Sequence, residues 1–76
     1  EYFYIILKPG ANHKSDPHRS VAEEYIIVTK GTLTLQLEQH TFTLTAPAKI
    51  NFRANIWHSY TNNTNDDVIF QNIMKY

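Results

Sequence analysis

Cysteine is absent from the 76 residues, so neither a disulfide framework nor a thiolate metal site can hold this chain together, which fits a reducing, cytoplasmic setting. An excess of charge of one sign is missing too: Lys plus Arg total 7, Asp plus Glu total 7, and the formal net charge is zero. Without a basic field to hold a phosphate backbone, direct nucleic-acid contact by this segment is not expected. No run approaches the roughly 20 apolar residues that a membrane helix needs, and no stretch reads as a signal peptide, so no membrane association is expected. A serine or cysteine nucleophile arrangement, a phosphate loop and a paired-carboxylate hydrolase spacing are all lacking. No segment carries a helical 3.6-residue period. Glycine is reduced to Gly10 and Gly31, which mark places where the backbone needs a turn geometry that other residues adopt only at a cost.

What is present is strand-like. The run Tyr2–Leu7, YFYIIL, is aromatic and β-branched and is closed by Pro9 and Gly10, which predicts a buried strand and a turn. Residues 11–20 have no periodicity and contain Pro17, and read as a loop. Residues 24–28 alternate, with Glu24, Ile26 and Val28 on one face and Tyr25 and Ile27 on the other. Thr32–Leu37, TLTLQL, is strict alternation, and a bend at residues 38–40 returns into residues 41–45 as a hairpin. Leu33, Leu35, Phe42 and Leu44 are thereby expected in one shared core. Ile50 and Phe52 alternate again, residues 58–62 form a short strand, residues 62–67 are an Asn/Asp turn cluster, and residues 68–74 close the chain as a last strand. Seven or so short strands at regular spacing predict an all-β sandwich or barrel over residues 1–76, a single domain.

The chemistry-bearing residues concentrate between the two glycines, where Asp16, His18, Glu23 and Glu24 can bind a metal or hydrogen-bond a polar ligand. Glu24 shares its face with Ile26 and Val28, and a carboxylate buried there without a partner would be costly, so something polar or metallic is expected opposite it. Glu23 points the other way by alternation. Tyr60 follows His58 at period two and shares its face. His13 and His40 read as solvated, although His13 stands close enough in sequence to serve as a further imidazole.

With those residues laid out, the chain resembles the cupin superfamily over nearly its whole length. That family's first motif runs glycine, five residues, histidine, one residue, histidine, a few residues, glutamate, six residues, glycine. Here Gly10 is followed after five residues by Asp16, then Pro17 and His18, while Glu24 is followed after six residues by Gly31. Asp16 stands where the first histidine is usual, and five residues separate His18 from Glu24. The second motif ends in a histidine, three residues and an asparagine, as His58 and Asn62 do; its glycine, proline and glycine fall on Pro47, Arg53 and Asn55. The acidic pair, the apolar strand, Gly31, the alternating leucines and the run Trp57 to Asn62 resemble more narrowly the cupin domains fused behind a helix-turn-helix in bacterial transcriptional regulators.

The resemblance implies a small β-barrel, a double-stranded β-helix or jelly roll, acting as a small-molecule (effector) sensor. It also implies that the chain, which starts at Glu1 in an apolar run, is part of a longer protein whose DNA-binding half precedes it. The expected ligand-binding residues are Asp16, His18, Glu24, His58 and Tyr60. As a metal site, His18, Glu24 and His58 would form a two-histidine, one-carboxylate face with Asp16 as a fourth ligand, suited to a divalent transition metal such as Fe, Mn, Ni or Zn. A metal-dependent enzyme of dioxygenase, isomerase or epimerase type is the rival reading, and an empty dimerisation barrel a third. A homodimer is expected, because a chain this short buries only about 60% of its unfolded surface and its first strand is apolar on both faces.

Overall fold

The computed structural model describes residues 1–16 and 23–76. These form eight strands: β1 (Tyr2–Leu7), β2 (Asn12–Ser15), β3 (Glu23–Lys30), β4 (Thr32–Leu37), β5 (His40–Thr45), β6 (Ala48–Arg53), β7 (His58–Thr61) and β8 (Val68–Lys75). They pair antiparallel into two four-stranded sheets, in the orders β1-β8-β3-β6 and β2-β7-β4-β5. Successive strands change sheet except at the β4–β5 hairpin, which gives the double-stranded β-helix that the family resemblance implies. Among the described residues no helix is long and apolar enough to cross a membrane.

The inward residues of both sheets make one core. Leu7, Ile26, Val28, Val68, Phe70 and Phe52 from the first sheet meet Leu33, Leu35, Leu37 and Tyr60 from the second. Cross-strand register explains the layering: on the first sheet Phe3, Asn72, Ile26 and Ile50 form one inward row, and Ile5, Phe70, Val28 and Ala48 the next. Outward rows on the same sheet carry Tyr2, Ile73 and Tyr25, then Tyr4, Gln71 and Ile27. Tyr2, Tyr4 and Ile6 remain at least half exposed on that outer face.

Three features differ from expectation. Residues 2–7, read as a buried strand, form an edge strand in which Tyr2, Phe3, Tyr4 and Ile6 are exposed and only Leu7 is buried, because among the described residues nothing covers the outer face or the free edge of β1. Residues 12–15, read as loop, are a strand paired with β7 in the register Asn12 to Thr61 through Ser15 to His58. Their polar composition hides the pairing, because β2 is an edge strand whose contribution is backbone hydrogen bonding. Phe42 is 38% exposed rather than in the core, although it lies opposite the fully buried Leu35, and Leu44 is only partly buried. Both belong to β5, the opposite edge of that sheet, where no further strand among the described residues pairs beyond it.

Gly31 is required twice over at the β3–β4 junction. Its φ is +81°, and a Cβ there would stand 2.8 Å from the Asp67 carbonyl oxygen and 3.1 Å from the Val68 side chain. The turn of residues 62–67 therefore packs directly on this glycine. That turn is organised by buried Asn62, whose Nδ2 donates to the Leu7 carbonyl at 2.8 Å and the Asp66 carbonyl at 2.7 Å. Its Oδ1 accepts from the Thr64 amide at 2.9 Å and the Thr64 hydroxyl at 2.6 Å. Asn62 thus ties the end of β1 to the turn that leads into β8.

Candidate functional site

Strand β3 carries Glu24 inward, flanked by Phe52 of β6 and Met74 of β8 in the register. Strand β7, in the facing sheet, carries His58 and Tyr60 two residues apart on its inward side, and β8 adds Asn72. All four side chains are buried, and they bridge the two sheets through one another. Tyr60 donates its hydroxyl to Glu24 Oε1 at 2.7 Å, and Asn72 Nδ2 donates to the same oxygen at 3.0 Å and to the Tyr60 hydroxyl oxygen at 3.2 Å. His58 Nε2 lies 2.9 Å from Glu24 Oε2, and His58 Nδ1 lies 2.8 Å from the Ile56 carbonyl oxygen, to which it can only donate.

A proton on both ring nitrogens makes this an imidazolium–carboxylate pair. Burial alone would raise the Glu24 pKa, but the hydrogen bonds from His58, Tyr60 and Asn72 and the His58 charge outweigh it and hold the carboxyl below its ordinary value. Burial likewise disfavours charged His58, yet the Glu24 hydrogen bond, the Ile56 carbonyl and the Glu24 charge raise its pKa above the ordinary value. Tyr60 is pushed up by burial first and then by the adjacent carboxylate, so it remains a phenol and a donor. Aromatic rings pack against the group: Phe52 meets His58 edge-on at 5.2 Å, and Phe70 lies 5.3 Å from Tyr60. In so dry a surrounding each hydrogen bond polarises its neighbours.

The cluster forms part of the wall of an interior cleft. About 340 Å³ of space lies between edge strands β1 and β2, lined by Phe3, Tyr4, Ile5, His13, Ser15, Tyr60, Asn72 and Met74. A deeper part of about 230 Å³ continues along Ile5, Leu7, His13, Tyr60 and Phe70. Depressions of about 470 and 410 Å³ along the Ile27 and Lys49 region of β3 and β6 are larger, but none of the buried polar residues lines them, so the interior cleft is the better candidate.

Of the residues singled out from the sequence, the structure brings Glu24, His58 and Tyr60 together. Asp16 follows β2 and is exposed, with no hydrogen bond or ion pair to that group among the described residues. His18 lies outside the described residues. Glu23 faces outward as alternation predicts, accepting from Asn51 Nδ2 at 3.2 Å. His13, on the strand that was read as loop, has its ring nearly parallel to that of Tyr60 at 6.1 Å and lines the cleft rather than joining Glu24. Asn72 went unnoticed in the sequence. Its signal was available: it sits on the inward face of Val68, Phe70 and Met74, the same anomaly that pointed to Glu24.

A metal would find two donors here among the described residues, Glu24 Oε2 and His58 Nε2, and no group of three or more His, Asp or Glu side chains is placed to hold one. The anchored Nδ1 and the doubly held Oε1 do orient those two atoms as the outer partners of metal ligands usually do.

Residues 3–74 match the family model of the cupin domain. The chain belongs to the cupin family. It is 30% identical, over all 76 of its residues, to the HTH-type transcriptional regulator SutR of Escherichia coli, and spans 43% of that protein's length. The crystal structure of the cupin domain of an XRE family transcriptional regulator from Enterobacter cloacae superposes with a TM-score of 0.93 at 31% identity, covering 99% of this chain and 79% of that one. An HTH_3 family transcriptional regulator from Vibrio cholerae gives a TM-score of 0.90 at 29% identity, over 99% of this chain and 42% of that one. This is a cupin domain related to those of transcriptional regulators.

Proposed function

We propose that this domain is the small-molecule-sensing half of a cytoplasmic bacterial transcriptional regulator, with the effector entering between β1 and β2 to meet Tyr60 and Asn72 and, behind them, Glu24 and His58. The observation that carries this reading is the buried four-residue polar cluster in the wall of a cleft. A core of this size has no need of an ion pair, since well-packed apolar side chains in its place are often as stabilising or more so. The likeness to cupin domains of regulators supports the role, and the balance of 7 basic and 7 acidic residues leaves DNA contact to another part of the protein. We further read the outer face of Tyr2, Tyr4, Ile6 and Ile73 as the place where a second copy packs, forming a homodimer.

The test uses the complete regulator. Small molecules that co-purify with it are identified by mass spectrometry and added back to the emptied protein. A molecule bound in the cleft is expected to change the affinity for operator DNA, and Tyr60→Phe to weaken its binding. A molecule that fills the cleft without altering DNA affinity contradicts the role. Sedimentation at high concentration is expected to give twice the 8.9 kDa chain mass for this domain.

A second reading, a metal-dependent cupin enzyme, draws on one distance. Two adjacent ligands of an octahedral ion, each about 2.1 Å from it, would stand about 3 Å apart, close to the 2.9 Å between His58 Nε2 and Glu24 Oε2. Asp16 and His18 are its remaining proposed ligands. Elemental analysis of protein purified without chelator decides it: stoichiometric Fe, Mn, Ni or Zn that is lost in His58→Ala favours the metal, and metal-free protein with intact effector binding rules it out.

A further inference from the structure

The amide of Asn72 can be oriented from its neighbours. Glu24 Oε1 is an acceptor, and the Tyr60 hydroxyl, having given its proton to that oxygen, is an acceptor as well. The Asn72 atom facing both, at 3.0 and 3.2 Å, must therefore be the amide nitrogen, and the carbonyl Oδ1 is directed elsewhere. Asn72 is only 3% exposed, and Oδ1 has no hydrogen-bond partner among the described residues. A buried carbonyl left unpaired is costly, and structures keep few of them. Asn72 also lines the cleft, its register partner across to β1 is Phe3, and Met74 is its neighbour on the same face. Phe3 is 43% exposed and Met74 is unbranched, so both side chains can turn aside for a ligand.

The rest of the lining limits what that ligand can be. No Lys or Arg among the described residues lines the cleft, and the one carboxylate beside it, Glu24, is neutralised by His58. An anion would find only the exposed His13 ring, and a cation no carboxylate on the wall itself, to offset its desolvation. Ile5, Tyr60, Phe3 and Met74 offer mainly apolar surface. An apolar cavity of about 150 Å³ suffices for benzene, so 340 Å³ holds a one-ring molecule with substituents.

We propose that the cleft selects an uncharged, mainly apolar small molecule carrying one hydrogen-bond donor, and that Asn72 Oδ1 is the acceptor that recognises this donor. The proposal rests on the effector-cleft reading and adds the chemical class of the effector.

The test is an amide-resolved NMR titration of the protein with four one-ring probes: benzyl alcohol, toluene, benzoate and benzylammonium. Benzyl alcohol is expected to shift the backbone amides of Ile5, His13 and Tyr60 and the Asn72 side-chain carbonyl carbon, and to bind about tenfold more tightly than each of the other three. In Asn72→Leu the preference for benzyl alcohol over toluene should fall to near unity while both still bind. Should that variant fail to fold, the Asn72 carbonyl shift in the unaltered protein remains decisive, since benzyl alcohol must move it and toluene must not. Equal binding of alcohol and toluene overturns the role of Asn72 alone. Preferred binding of benzoate or benzylammonium overturns the uncharged class. Binding of no probe in the cleft overturns this inference and the sensing site together.

Discussion

Two buried polar groups meet at β7 and its exit, the cluster through His58 and Tyr60 and the turn through Asn62, and they are wired in opposite ways. The Asn62 side chain bonds to local chain and the end of β1, donating to the carbonyls of Leu7 and Asp66 and accepting from the amide and hydroxyl of Thr64. Glu24, Tyr60 and Asn72 bond side chain to side chain across two sheets, His58 adds an ion pair, and Asn72 is left with an unmatched acceptor. A group that satisfies backbone polar atoms cannot be exchanged for an apolar one, because the backbone atoms stay behind and go unpaired. A group that satisfies chiefly other side chains, its one backbone tie being His58 Nδ1 to the part-buried Ile56 carbonyl, can be exchanged together with them. The first arrangement marks architecture and the second marks a site.

The largest effect that sharpens this contrast is the loss of half of the ion pair. His58→Ala leaves the Glu24 carboxylate buried without its charge partner and is expected to cost about 3–5 kcal/mol, read from urea unfolding. Somewhat smaller is Asn62→Ala, expected to cost about 2–4 kcal/mol through the stranded Leu7 and Asp66 carbonyls. Asn62→Leu should be no better, since its apolar side chain supplies no donor; recovery of stability in the leucine variant would break the comparison.

The pH dependence of stability follows from the pair. His58, with its pKa raised in the folded protein, contributes stability that is complete below its ordinary value of about 6.5 and is lost as pH rises through the raised value. Glu24, with its pKa lowered, contributes stability that is complete above its ordinary value of about 4.5 and is lost as pH falls through the lowered value. The joint contribution is therefore greatest between about pH 4.5 and 6.5. Thermal melts across pH should show that maximum, and Glu24→Gln should flatten it. The Asn62 variants carry no titrating group in place of it and should keep the profile of the parent.

The smallest expected effect lies away from both groups. Glu38, in the β4–β5 turn, takes a φ of 52°, a left-handed conformation that asparagine tolerates better than glutamate. Glu38→Asn should raise stability by about 0.5–1 kcal/mol in the same urea assay, leaving cleft binding untouched.

Much of this architecture is legible from alternation alone. TLTLQL in β4 and the face of Glu24, Ile26 and Val28 in β3 announce both the strands and their inward sides. Strand β2 is not legible, because NHKS has no apolar period and its place is set by backbone pairing to β7. The exposure of Phe42 is not legible either: alternation tells which face a residue occupies, and not that the sheet ends at its strand. In the site, a polar residue on an apolar strand face proved the informative signal. It pointed to Glu24, and the same reasoning applied to β8 reaches Asn72. The partners that join them, by contrast, come from strands distant in sequence, and only the closing of the two sheets sets their distances.

The most direct test of the contrast is urea unfolding of the double variant Glu24→Met/His58→Leu beside Asn62→Leu. If the Glu24–His58 pair is retained for binding rather than for the fold, the double variant is expected to unfold within about 1 kcal/mol of the parent or above it, while Asn62→Leu falls by at least about 2 kcal/mol. A double variant that loses as much stability as Asn62→Leu would contradict the account, because the pair would then be part of the architecture.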